Sequence, residues 1–139
     1  MILIDAGPLI ALNDPRDSAS LASSKALASL PNEPFATTWP CVAEAMYFLG
    51  VTGGFAKQRK LWQTWRDRNI RFCDLTEEEI QLASDLMERY QDHPMDLADA
   101  TLVALADFRG WRKVFTLDSH FFAYRLHDGS ALEVILPAL

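Results

Sequence analysis

Short apolar runs alternate with helical stretches along this chain, and that alternation selects an α/β architecture. Met1-Ile-Leu-Ile4 is the first such run and ends on Asp5. Residues 35–38, 70–75, 113–117 and 132–136 read as four further strands. Gly7-Pro8 reads as a break, with a short helix at 9–12, and the Ala/Ser/Leu-rich segment 18–30 reads as a second helix. Thr38 or Trp39 caps a helix with Pro40 in its first turn, a favoured place for proline, and this helix runs to Gly50. Gly53-Gly54 separates it from a basic helix at 55–68. Thr76-Glu-Glu-Glu79 is a capping box that opens a helix to about residue 91. His93-Pro94 is a break, and the helix at 96–109 is closed by Gly110, where left-handed geometry is wanted. A short helix at 119–124 precedes the last strand. Strands joined through helices run parallel, and a parallel sheet needs cover on both faces. The expected fold is therefore a three-layer α/β/α structure with a central parallel sheet of about five strands.

The composition fits that expectation. Of 139 residues, 50% are hydrophobic and 23% charged, so one domain over 1–139 can bury a core without covalent staples. Cys41 and Cys73 lie in apolar runs without Cys-x-x-Cys spacing, which suggests a reducing compartment and neither a disulfide framework nor a zinc site. The start of the chain lacks the basic flank of a signal peptide, and no uncharged apolar stretch reaches the roughly 18 residues of a membrane span. A cytoplasmic protein without membrane contact is expected. The net charge of −6 argues against bulk electrostatic attachment to nucleic acid. Its distribution is uneven: Lys57, Arg59, Lys60, Arg66, Arg68 and Arg71 face only Asp67 in their segment, giving +5 there and leaving −11 for the rest.

Four acids stand where charge is expensive. Asp5 and Asp118 each close an apolar strand, and ligands of open α/β sheets bind at the carboxyl ends of strands. Either residue could equally cap the helix that follows it. Glu44 is the only charged residue between Pro34 and Ala56, in a segment apolar enough to predict a helix buried all round, unless Glu44 marks a narrow wet stripe. Asp96 and Asp99 share one face of the most apolar helix, in the turn where the helix dipole favours negative charge. Asp96 suits a cap, whereas Asp99 lies deeper. In a doubly wound sheet these places can converge on one edge. Converging carboxylates repel one another unless a cation neutralises them, and an all-oxygen set without His or Cys selects Mg²⁺ or Mn²⁺ over zinc.

In these residues the chain resembles the PIN-domain nucleases, and within them the VapC-type toxins of prokaryotic toxin–antitoxin pairs. Ile2 to Leu12 looks like their first strand and acid, and Pro40-Cys-Val-Ala-Glu44 like their second motif. Pro94-Met-Asp96-Leu-Ala-Asp99 looks like the third, and Val114-Phe-Thr116-Leu-Asp118 like the fourth. Each is weak alone, but four in order carry the resemblance. It implies a PIN-like endoribonuclease in which Asp5, Glu44, Asp99 and Asp118 are catalytic. Asp5, Asp99 and Asp118 would hold Mg²⁺ or Mn²⁺, with Glu44 acting through water or a second ion and Asp96 secondary. It also implies a structured cellular RNA as substrate, a cognate antitoxin and a homodimer. One departure is Ala6, where many relatives carry a hydroxyl residue after the first acid.

Two rival classes fit less well. A phosphatase of the haloacid-dehalogenase type needs a second Asp where Gly7 stands, and a receiver domain needs an acid where Thr38-Trp39 ends the second strand. A PIN-type fold that binds RNA or protein without cutting remains the alternative. Lys57, Arg59 and Lys60 on the basic helix are candidate RNA contacts, although Phe55, Leu61, Trp62 and Trp65 beside them read first as a packing stripe.

Overall fold

The computed structural model describes residues 1–139. Strand β1 (Ile2–Ile4) leads into helix α1 (Ala6–Asn13) and α2 (Ser20–Ser29). Strand β2 (Phe35–Thr38) leads into the long helix α3 (Trp39–Arg66) and strand β3 (Ile70–Cys73). Helices α4 (Glu77–Arg89) and α5 (Leu97–Arg109) follow, then β4 (Lys113–Phe115), a 3₁₀ turn at Ser119–Phe122, and β5 (Glu133–Ile135). The five strands form one sheet in the order β3-β2-β1-β4-β5, with every pair parallel.

That order fixes where a site can form. Leaving β1 the chain moves towards β2 and β3, and leaving β4 it moves the opposite way to β5. Right-handed crossovers therefore place α1–α3 on one face and α4–α5 on the other. The crevice between β1 and β4, at the carboxyl ends of the strands, is the switch point where open α/β sheets bind ligands. β1 lies mid-sheet, with Ile2, Leu3 and Ile4 essentially inaccessible, and α5 is buried without interruption from Ala98 to Ala106. These two elements form the centre of the core and carry Asp5 and Asp99 at their ends.

Three local expectations need correction. Gly7-Pro8 does not interrupt the chain: α1 begins at Ala6, capped by Asp5. Pro8 falls in the first turn, where amide groups have no partner inside the helix, so its missing donor costs nothing. The two helices expected around Gly53-Gly54 abut without a loop, broken only at Gly54 (φ 65°, ψ −161°), a conformation glycine alone adopts easily. Finally, α3 is not buried all round. Ala43, Tyr47, Phe48 and Val51 face outward, because only one side of α3 meets the sheet and α1. On the basic part of α3, Leu61 is buried and Trp62 half-buried, but Phe55 and Trp65 lie exposed, so the expected packing stripe is only partly used.

Candidate active site

A pocket of about 410 Å³ opens at the β1–β4 switch point. Asp5, Glu44, Asp96, Asp99 and Asp118 line it, and no basic side chain does. The chain thus brings together all five acids singled out from the sequence. Lys57, Arg59 and Lys60 lie outside this lining. The Lys57 ammonium is held by Asp14 at 2.6 Å, and the Arg59 guanidinium sits 5.0 Å from the centre of the Phe55 ring.

Each acid is held by local structure. Asp5 Oδ1 accepts the Ala6 amide at 2.8 Å, and Oδ2 accepts the Thr116 hydroxyl at 2.7 Å. Asp96 and Asp99 form a reciprocal capping box: the Asp99 amide donates to Asp96 at 2.8 Å, and the Asp96 amide to Asp99 Oδ2 at 3.2 Å. Asp118 Oδ1 accepts the His120 amide at 2.9 Å and lies 2.6 Å from His120 Nδ1. Capping and convergence on one pocket therefore coexist at these residues. A capping carboxylate keeps lone pairs free, so one role does not exhaust it.

Burial and mutual repulsion dominate the electrostatics. Burial raises the Asp5 carboxyl above its usual range, opposed by the Thr116 and Ala6 hydrogen bonds and reinforced by Asp96 and Asp118. Asp99 is pushed up to about 8, first by burial and then by the charge of Asp5. Glu44 is raised by burial, then by Asp96 and Asp5. No salt bridge in the molecule reaches Asp5, Glu44, Asp96 or Asp99, and Asp118 meets only His120. The pocket is thus a cluster of carboxylates that no Lys or Arg side chain neutralises.

The donor set fits a hard divalent ion, since it is all oxygen with a raised proton affinity that such an ion would reverse. No three of the acids close into a ready-made chelate. A divalent ion held there would have to complete its shell with water, as Mg²⁺ does.

Thr116 is the residue whose role the sequence concealed. Its hydroxyl donates to Asp5 and accepts the Asp118 amide at 3.0 Å, so one side chain ties the first acid to the last. It supplies to Asp5 the hydroxyl contact that Ala6 cannot. Thr116 is fully buried, so Thr116→Val keeps the shape but leaves the Asp118 amide short of a partner. A loss of about 1–3 kcal/mol is expected in a thermal or urea melt, together with weakened Mn²⁺ binding. Unchanged stability and Mn²⁺ affinity would mean that the link is incidental.

The profile of the PIN domain family matches residues 2–125. The chain belongs to the PIN-domain family. It is similar over nearly its whole length to ribonuclease VapC26 of Mycobacterium tuberculosis, with 27% identity over 135 residues, covering 96% of this chain and 99% of that protein. Its fold matches the crystal structure of Mycobacterium tuberculosis VapC20, a Sarcin-Ricin loop cleaving toxin (TM-score 0.83, 19% identity, 96% and 98% of the two chains). It also matches a chain of a toxin–antitoxin complex from Klebsiella pneumoniae (TM-score 0.65, 16% identity, 99% and 98% covered).

Proposed function

We propose that this protein is a divalent-metal-dependent endoribonuclease and the toxin of a toxin–antitoxin pair, with residues 1–139 acting as one PIN-type nuclease unit. The observation that carries the proposal is the pocket itself: five carboxylates and no cationic side chain at the switch point of a PIN fold. Asp5, Asp99 and Asp118 would hold Mg²⁺ or Mn²⁺, Glu44 would complete the set through water or a second ion, and Asp96 serves mainly to seat Asp99. When bound, the ion neutralises developing phosphate charge and makes water a stronger nucleophile. The chain's own part is orientation. Thr116 and the Ala6 amide fix Asp5, the capping box fixes Asp99, and His120 fixes Asp118. Attack by water leaves a 5′-phosphate and a 3′-hydroxyl.

The likeness to VapC26 and VapC20 supports an RNA substrate, and the likeness to the Klebsiella complex supports a protein antitoxin. Carboxylates also pair with guanidinium groups, so the antitoxin would inhibit by placing Arg among them. A homodimer is the expected assembly. No helix is long and apolar enough to cross a membrane, and the proposed site of action is the cytoplasm. The alternative, a PIN module that binds without cutting, leaves the buried carboxylates without a partner to offset their repulsion.

The test is to incubate purified protein with total bacterial RNA in Mn²⁺ or EDTA and map the new ends. Cleavage in Mn²⁺ alone, leaving 5′-phosphates, is expected. Equal cutting in EDTA, or binding with no cutting in any divalent ion, contradicts the proposal.

A further inference from the structure

Next to the acid pocket, across the first turn of α5, lies a second pocket of about 380 Å³ whose lining includes Trp39, Pro40, Asp74, Leu75, Ile80 and Leu97. The two pockets share no lining residue but are built on the same two helix ends. Pro40 stands one helical turn, about 5.4 Å, before Glu44 on α3, and Leu97 sits between Asp96 and Asp99 on α5. Three of its lining residues are exposed: Trp39, Ile80 and Leu97 are 39%, 57% and 54% accessible.

Trp39 is also held in place. Its indole Nε1 donates to Asp74 Oδ1 at 2.8 Å, its ring meets Phe72 edge-on at 5.4 Å, and Trp62 leans against it at 6.4 Å. A fixed aromatic plate with part of its surface open, beside a candidate phosphodiester-cleaving site, is how proteins seat unstacked bases. The charge around it narrows the occupant. Asp74 lines the pocket and repels a phosphate, whereas its second carboxylate oxygen accepts no hydrogen bond within the chain and suits an N–H donor.

We infer that this pocket is a nucleobase subsite. It receives the base of a nucleotide adjoining the scissile phosphate. The inference rests on the ribonuclease reading above and adds to it a base stacked on Trp39 whose N–H group donates to Asp74.

The experiment measures fluorescence anisotropy of fluorescein-labelled oligo(A) and oligo(U) ribonucleotides with the full-length protein in EDTA, where no cleavage interferes. Wild type is expected to bind oligo(A). Trp39→Ala weakens oligo(A) binding roughly 5- to 150-fold, the range for losing one stacked base, while Trp39→Phe keeps most of it. Leu97→Glu is a second, independent variant at an exposed position that places a charge in the pocket, and it weakens binding in the same direction. The inference is overturned if wild type binds neither oligonucleotide. It is also overturned if Trp39→Ala or Leu97→Glu, melting as wild type does, binds oligo(A) unchanged. Variants that lose a co-expressed protein partner but keep their RNA affinity overturn it as well. Failure of the ribonuclease reading appears separately, as absence of Mn²⁺-dependent cutting by wild type, and leaves the binding result legible.

Discussion

Asp99→Asn is expected to lower metal-dependent RNA cleavage by about three powers of ten, the loss that follows from removing several kcal/mol of charge stabilisation at a metal ligand. The substitution isolates charge from shape. Asparagine keeps an oxygen that can accept the Asp96 amide, so the capping box at the start of α5 survives. What disappears is one negative charge in a buried position that no cationic side chain of the molecule approaches. Asp5→Asn and Asp118→Asn act on the same charge set and are expected to fail comparably. Initial rates of variants and wild type in Mn²⁺, against EDTA blanks, read the effect. Full activity in the Asp99 variant would remove Asp99 from the site.

Arg109→Ala is expected to destabilise the fold by about 3 kcal/mol without altering the acids themselves. Arg109 closes α5, and its guanidinium meets both oxygens of Glu79 on α4, at 2.9 and 3.0 Å, and the Asp74 carbonyl at 2.9 Å. Glu79 is only 2% exposed, and its hydrogen bonds with Arg109 hold its carboxyl below the usual range. Removing Arg109 strands that charge in the interior. The expected cost sits at the lower end for buried pairs because Arg109 itself is partly wet. Urea unfolding measures it, and Glu79→Gln in the same background should recover part of the loss. A change under about 0.5 kcal/mol, as for an exposed pair, would show that the bridge does not hold α4 to α5.

The sequence carried the architecture because its apolar runs and its punctuation agree. Thr76-Glu-Glu-Glu79 and Gly110 mark helix ends that the structure reproduces, the latter at φ 69°. The acids were legible for another reason: a carboxylate inside an apolar segment has few explanations. What stayed hidden depends on contacts remote in sequence. Thr116 looks like an ordinary strand threonine until the sheet sets β4 beside β1 and brings its hydroxyl to Asp5. His120 was within reach of the sequence, since a residue two places after a capping Asp can meet its carboxylate. The open face of α3 was not, because a helix apolar all round predicts burial, and nothing local says which side the sheet leaves free. Trp39 and Asp74, 35 residues apart, become partners only through the pairing of β2 with β3.

The proposed site gathers acids that repel one another in the metal-free protein and that a divalent ion would reconcile. Thermal melts of wild type and Asp99→Asn, in EDTA and in Mn²⁺, test it without any RNA. Asp99 has its folded value raised from 3.8 to about 8, so the native state holds the proton more tightly than the unfolded chain. The associated stability is full below about pH 4 and is lost as pH rises through about 8. Above that pH the metal-free wild type carries the full repulsion and Asp99→Asn does not. The variant is then expected to melt at the same temperature as wild type or higher in EDTA, and to gain much less from Mn²⁺. At a hundredfold excess over the dissociation constant, wild type should gain about 2.7 kcal/mol. A variant that melts lower than wild type in EDTA yet keeps the full Mn²⁺ shift would show that Asp99 is architecture and that the metal binds elsewhere.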